Sequence, residues 1–136
     1  MTRAIRGAIT VKKNTQEAIK KATVELLEAM LKENIVATSQ ISHAIFTMTK
    51  DLNAAYPAKF ARTEMNFANV PMMCYQELDI ENSLAMCLRI MLVVNCDKAQ
   101  TDIKHIYLKG AEILRPDLKE LLQHNFMKNF FAFSDF

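Results

Sequence analysis

Leu84-Ala-Met-Cys-Leu-Arg89-Ile-Met-Leu-Val-Val94 is an eleven-residue apolar run with one charged residue, Arg89, near its middle. The run is too short to span a membrane and ends in branched residues, so it predicts a strand buried on both faces. A guanidinium cannot shed its charge, and an unpaired buried charge costs several kcal/mol. Arg89 therefore needs an anionic partner, which is either a carboxylate of the protein or an anion from outside.

The composition limits the classes of protein to which the chain can belong. It has 136 residues, 51% of them hydrophobic and 24% charged, which predicts one globular domain with its own core. A net charge of +2 without a basic tract argues against a nucleic-acid-binding surface. Three cysteines without CxxC spacing, together with the lack of a signal peptide, predict a cytoplasmic protein that does not enter the membrane. The three histidines are far apart and only two glycines occur, so we expect no metal and no cofactor.

Strand and helix patterns alternate along the chain. The sequence predicts strands at 2–11, 40–49, 70–78, 84–94 and 103–114. A long helix should begin at Asn14, with Glu17 completing a capping box, and a short helix should begin at Pro57. One long helix covering a mixed sheet of about five strands is an α+β domain.

Isolated polar residues interrupt other predicted strands, as Arg89 interrupts its own. Arg6 lies beside Gly7 in the first strand, Glu77 ends the third, and Tyr107 is flanked by apolar residues in the last. Two buried arginines and one glutamate leave an excess of positive charge, which favours a small anionic ligand. No nucleophile is paired with a base, so such a site would act by electrostatic complementarity. A structural ion pair in the core would explain the Arg89 segment alone equally well.

Seven short motifs lie in a fixed order across residues 3–118. They are Arg6-Gly7-Ala8, Tyr56-Pro-Ala-Lys59 followed by Arg62, Val70-Pro71, Cys74-Tyr-Gln-Glu77-Leu-Asp79, Cys87-Leu-Arg89-Ile90, His105-Ile-Tyr107-Leu108 and Leu114-Arg115-Pro116-Asp117-Leu118. Each motif alone is common, but their order and spacing together resemble the monofunctional chorismate mutases of the compact trimeric AroH class.

The resemblance implies both an assembly and a reaction. The assembly is a homotrimer, a pseudo-α/β-barrel of chorismate mutase type, with active sites between neighbouring subunits. The reaction is the pericyclic (Claisen) rearrangement of chorismate, a dianion, to prephenate in phenylalanine and tyrosine biosynthesis. The alternative is a trimer of similar fold that binds a small dicarboxylate without turnover or hydrolyses imines.

The resemblance also implies roles for individual residues. Arg89 would face the ether oxygen, where negative charge grows in the transition state. Arg6 and Tyr107 would hold the side-chain carboxylate of the substrate, and Glu77 and Cys74 would bind its ring hydroxyl. The pocket wall and the cationic rim would be formed by Tyr56, Ala58, Lys59, Arg62, Met72, Met73, Leu114 and Arg115.

The chain departs from the family pattern at several positions. It has Tyr56 where phenylalanine is usual, Met73 where threonine is common, and Asn82-Ser83 where two glycines are familiar. Residues 119–136 hold five of the eight phenylalanines, unlike the short polar tail of the family. We expect a single domain over 1–118, followed by a tail that begins as a short helix and packs on the trimer or is partly disordered.

Overall fold

The computed structural model describes residues 1–117, so the tail predicted over 119–136 lies outside the described residues. The described part contains five strands and two α-helices. In chain order they are β1 (Thr2–Thr10), α1 (Gln16–Asn34), β2 (Ile41–Met48), α2 (Pro57–Glu64), β3 (Met72–Gln76), β4 (Cys87–Asn95) and β5 (Ile106–Leu108). Short 3-10 helices cover Thr38–Gln40, Gln100–Asp102 and Lys109–Leu114. Within residues 1–117, no helix is long and apolar enough to cross a membrane.

The five strands form one mixed sheet in the order β3-β2-β4-β1-β5. Strand β4, which contains the apolar run, lies at the centre and pairs antiparallel with β2 and β1. The outer pairs β2–β3 and β1–β5 are parallel. The α+β prediction with a mixed five-stranded sheet is therefore confirmed.

The core lies on one face of this sheet. Alternate residues of β4, namely Leu88, Ile90, Leu92 and Val94, are fully or almost fully buried there against both α-helices. Helix α1 lies close to β1 at Gly7, where a Cβ atom would come within 2.5 Å of Met30 Sδ. Helix α2 adds Phe60 and Ala61 to the same core, so two helices cover the sheet, whereas only the long helix was expected to cover it.

The opposite face of β4 is open in the single chain. Arg89, Met91 and Val93 lie on it, and Met91 is 39% exposed. The prediction of a strand buried on both faces is therefore wrong for one chain, because both α-helices pack on the same side. Apolar residues on both faces of a strand show that both faces become covered, but they do not show what covers them.

The predicted start of the long helix needs correction. Thr15, and not Asn14, caps α1, because its hydroxyl oxygen accepts a hydrogen bond from Ala18 N at 3.1 Å. The Asn14 side chain instead accepts from the backbone N–H groups of Asn53 and Ala54 and ties the start of α1 to the loop before α2. The prediction that α2 begins at Pro57 is confirmed.

The last strand is much shorter than predicted. It ends at Leu108 because Lys109 takes a left-handed backbone conformation with φ 56°, after which the chain forms a 3-10 helix. Gly110 N donates a hydrogen bond to Thr10 Oγ1 at 2.9 Å, and a Cβ at Gly110 would lie 3.0 Å from the Thr10 side chain. Gly110 thus permits a close approach, as its position in the sequence indicated, but within a 3-10 helix and not within a strand.

Candidate active site

Arg89 lies in a row of side chains that crosses all five strands on the open face. The pairing register places Tyr75, Thr47, Arg89, Ala8 and Tyr107 side by side from β3 to β5. Since alternate residues of a strand point to opposite faces, all five side chains share one side of the sheet. The open face therefore carries polar groups at its centre, where the other face carries the core.

A small second core lies on the same face and includes two members of this row, Ala8 and Tyr107. Ala8, Cys87 and Ala111 are fully buried in it, and Tyr107 and Leu114 pack against them. Burial raises the pKa of the Cys87 thiol to about 11, and the charges of Arg89, Glu77 and Arg6 also act on that sulfur. Cys87 is therefore a neutral thiol that lies near three of the charged residues predicted for the site.

The anionic partner of Arg89 is Glu77. Arg89 Nε lies 2.7 Å from Glu77 Oε1, and the two side chains are only 22% and 13% exposed. The Nε–H bond does not point closely at that oxygen, so the contact is an ion pair and not an aligned hydrogen bond. Thr47 Oγ1 donates a hydrogen bond of 2.6 Å to the same oxygen. The carboxylate expected from the sequence is thus present, but at the edge of an open face and not within the core.

Arg6 occupies the next row of the open face, opposite Met91. Its residue is exposed, which corrects the prediction of a second buried arginine, and its side chain makes no ion pair within residues 1–117. The Arg6 backbone N–H donates to His105 Nδ1 at 3.0 Å. Because Nδ1 accepts this bond, the neutral imidazole carries its proton on Nε2. Burial lowers the pKa of His105, and the positive charges of Arg115 and Arg6 lower it further.

Tyr107 and Arg115 form the β5 side of the site. The Tyr107 hydroxyl is buried and has no hydrogen-bond partner within residues 1–117. Arg115 binds Asp117 through two parallel contacts of 3.0 and 2.9 Å. This carboxylate, followed by the Tyr107 phenol, raises the pKa of Arg115 above its ordinary value. A buried hydroxyl beside a fixed cation is suited to an oxygen atom of an anionic ligand.

Apart from Met73 and Leu114, the remaining predicted site residues form a separate patch around α2. A pocket of about 460 Å³ is lined by Tyr56, Ala58, Lys59, Arg62, Thr63, Met72 and Cys74. Its volume is within the usual range for small-molecule sites. Burial raises the pKa of the Cys74 thiol, which makes it a neutral hydrogen-bond donor and a poor nucleophile.

The predicted residues therefore divide into two patches. We call Arg6, Glu77, Arg89, Tyr107, Leu114 and Arg115 the sheet patch, and we call the residues lining the 460 Å³ pocket the helix patch. Cys74 pairs with the core residue Phe46, whereas Arg89 pairs with Thr47, so the two patches lie on opposite faces of the sheet. Met73 is exposed on the open face next to Tyr75 and does not line the helix patch.

Thr47 and Cys87 were not predicted as site residues. Both lie on the open face within predicted strands, but only the pairing of the strands shows that Thr47 is opposite Arg89. Cys87 precedes Arg89 by two residues, so the alternation of β4 could have placed both on one face. Within residues 1–117, no group of three or more His, Cys, Asp or Glu side chains is arranged to hold a metal ion.

Comparison with known proteins shows the family to which the chain belongs. The family model described as chorismate mutase type I matches residues 2–118. The chorismate mutase AroH of Bacillus subtilis is 40% identical over 118 residues, which are 87% of this chain and 93% of that protein. The AroH protein of Thermus thermophilus is 42% identical over 120 residues, covering 88% and 98% of the two chains. A solved chorismate mutase structure from Clostridium thermocellum has 46% identity and a TM-score of 0.79, covering 81% of this chain and 97% of its own.

The lowered pKa of His105, which results from burial and from the charges of Arg115 and Arg6, predicts a pH dependence of stability. The pKa of His105 in the folded chain lies below the ordinary histidine value of 6.5. At pH values below 6.5, the unfolded chain therefore binds more protons than the folded chain. The contribution of neutral His105 to the free energy of unfolding is therefore fully present above about pH 6.5, and it is lost as the pH falls towards the pKa of the folded chain. Urea unfolding at several pH values should show that the wild type loses stability relative to His105→Asn between roughly pH 7 and pH 5.

Asparagine is the matched variant because its side-chain oxygen can accept the Arg6 N–H but does not titrate. The other titrating groups contribute to both curves and cancel in the difference. Parallel curves for the two proteins over this pH range would contradict the assignment.

Proposed function

The chain belongs to the chorismate mutase type I family, in its AroH class, and we propose that its sheet patch and helix patch together bind chorismate and convert it to prephenate. The chain is a chorismate mutase and thus an isomerase. The family implies a place in the biosynthesis of aromatic amino acids, and specifically of phenylalanine and tyrosine. The observation that supports the proposed site most strongly is the Arg89–Glu77 ion pair on an open sheet face.

The chemistry of the substrate fits a site of fixed charges. Chorismate carries a ring carboxylate and a side-chain carboxylate, and in one concerted step its ether C–O bond breaks while a C–C bond forms. No proton moves and no bond to the protein forms, so neither a base nor a nucleophile is required. The two patches offer five cations, Arg6, Lys59, Arg62, Arg89 and Arg115, to a dianion. Mere binding of a dicarboxylate would not require a carboxylate beside Arg89.

Arg89 is the proposed catalytic cation. Its Nε is engaged by Glu77, which leaves the terminal nitrogens of the guanidinium available to the ether oxygen. Negative charge on that oxygen grows as the C–O bond lengthens, so Arg89 stabilises the transition state more than the bound substrate. Because Glu77 already fixes the guanidinium, little reorganisation is needed during the reaction.

The other residues select the reactive conformation of the substrate. Arg6 and the buried Tyr107 hydroxyl would hold the side-chain carboxylate, since both residues lie on the same face as Arg89. Glu77 would accept the hydrogen bond of the ring hydroxyl, and the Cys74 thiol would donate to the hydroxyl oxygen. Holding both ends of the substrate brings the atoms that form the new C–C bond together.

We propose that the complete site forms between two subunits of a homotrimer. The patches lie on opposite faces of one chain, so the sheet patch of one subunit can meet only the helix patch of another. Contacts of this head-to-tail kind close into a ring when the rotation allows it. Exposed apolar side chains on the open face and in the loop after β3 support the proposal that a neighbouring subunit covers this surface. They are Met73, Tyr75, Met91, Leu78 and Ile80.

We also propose a cytoplasmic location for the enzyme. Cys74, Cys87 and Cys96 are all free thiols. Free cysteines without disulfides are typical of proteins in a reducing compartment.

Replacing Arg89 with citrulline tests the catalytic role. Citrulline has nearly the shape of arginine but no charge, so the growing charge on the ether oxygen loses its partner. We expect turnover to fall by roughly a thousandfold, about 4 kcal/mol, while the Michaelis constant changes far less. Turnover is measured as the loss of chorismate absorbance in the ultraviolet.

Arg3→citrulline is the matched control, because Arg3 also lies on the sheet but its Nε donates to the Lys98 carbonyl. This variant should retain wild-type turnover. A fall of less than about tenfold for the Arg89 variant would refute the assignment of Arg89 as the catalytic cation.

Mixed trimers test the position of the site. One variant carries Arg89→Ala in the sheet patch, and the other carries Lys59→Ala and Arg62→Ala in the helix patch. Each alone should be nearly inactive. After the two are unfolded and refolded together in equal amounts, roughly three quarters of the trimers are mixed and each has one intact site of three, which restores about a quarter of the wild-type activity.

Arg6→Ala mixed with Arg89→Ala is the control, because both changes are in the sheet patch and every site then lacks one of the two arginines. This mixture should stay inactive. Recovery of activity in the control mixture would contradict a site shared between subunits. Lack of recovery in the mixture of sheet-patch and helix-patch variants would contradict it as well.

A further inference from the structure

The hydroxyl group of Thr47 lies within the proposed active site but has no role in the function described above. Thr47 lies on β2 directly opposite Arg89 of β4, and its Oγ1 donates a 2.6 Å hydrogen bond to Glu77 Oε1. Arg89 Nε lies 2.7 Å from this same oxygen. One carboxylate oxygen therefore accepts a hydrogen bond from Thr47 and forms an ion pair with Arg89, two residues of neighbouring strands.

This double engagement fixes the orientation of the Glu77 carboxylate. Glu77 follows the end of β3, and its backbone N–H donates to the Met48 carbonyl at 2.9 Å, which holds its main chain beside β2. The side chain beyond that point could rotate about its own bonds. With Oε1 engaged by Thr47 and Arg89, the second oxygen is left to accept a hydrogen bond from a ligand.

Threonine is well suited to this task. It is β-branched, so a strand restricts its first side-chain torsion and the direction of its hydroxyl. Thr47 is partly buried next to a carboxylate that is only 13% exposed, where a hydrogen bond to a charged group is worth more than in water. Valine has nearly the same shape but offers no donor, and serine keeps the donor with fewer restrictions.

We propose that Thr47 is a positioning residue that holds Glu77, and through the shared oxygen Arg89, in the geometry required by the ring hydroxyl and the ether oxygen of the substrate. The inference rests on the proposed function, because it concerns the same site. Thr47 itself touches neither the substrate nor the reacting atoms. Its effect passes through the Glu77 carboxylate, and this distinguishes it from a residue that only stabilises the fold.

A double-mutant cycle tests this role. The proteins are the wild type, Thr47→Val, Thr47→Ser, Glu77→Gln and the double variant Thr47→Val/Glu77→Gln, assayed by loss of chorismate absorbance. We expect Thr47→Val to lower kcat/KM by about tenfold, as for a lost hydrogen bond to a charged group. Thr47→Ser should stay within about twofold of the wild type, and Thr47→Val should add less than about twofold once Glu77 is glutamine.

Thr23→Val is the matched control, because Thr23 is a fully buried threonine of α1 whose hydroxyl donates to the Ile19 carbonyl. It can change the unfolding temperature but should leave kcat/KM unchanged. If Thr47→Val does not fold, Thr47→Ala takes its place in the same cycle.

Wild-type constants for Thr47→Val, or an equal tenfold loss in the Glu77→Gln background, would overturn the inference while the mutase function stands. A wild-type chain that does not consume chorismate would overturn the proposed function and the inference together. Loss of activity in Thr47→Ser as large as in Thr47→Val would also overturn it, because the hydroxyl would then not be the group that matters.

Discussion

The ion pair between Arg89 and Glu77 is the interaction on which the organisation of this protein depends. A permanent charge at the centre of the central strand is tolerated because one carboxylate neutralises it and because it points away from the core. The residues on either side of it in sequence, Leu88 and Ile90, point to the helix side and are buried there. Strand β4 thus contributes to the core with one face and to the proposed active site with the other.

In the proposed mechanism, this division is the reason why one chain alone would not form a complete site. The helices cover one face of the sheet, and the sheet patch lies on the uncovered face. The helix patch, with Lys59 and Cys74, lies on the other side of β3. A dianion that needs cations at both ends is bound only when the two patches meet, so in this account assembly and catalysis depend on each other. The apolar side chains beside the sheet patch would supply the free energy of that contact.

The sequence allowed much of the fold and the family to be predicted. Periodicity located the five strands, and the lone charge of Arg89 correctly implied an anionic partner. The order of motifs from Arg6 to Arg115 identified the family, which the comparisons confirm. These predictions succeeded because each depends on residue type and spacing along the chain.

The errors arose where the outcome depends on contacts between distant segments. Nothing in the apolar run shows that the outer face of β4 lacks cover in a single chain. Arg6 lies on this same face, on the neighbouring strand β1, and was therefore wrongly taken as buried. Apolar alternation after Leu108 cannot reveal that Lys109 adopts a left-handed conformation and ends the strand. Thr47 was missed because its role depends on strand pairing, which brings it beside Arg89 and Glu77.

A crystal structure of the protein with a stable oxabicyclic dicarboxylate, shaped like the transition state, tests the central claim most directly. Such a compound should bind more tightly than the substrate. The account predicts that its ether oxygen lies within hydrogen-bond distance of Arg89 of one subunit, while Lys59 or Arg62 of a neighbouring subunit contacts the same molecule. A ligand bound within a single subunit, or one whose ether oxygen does not contact Arg89, would contradict it.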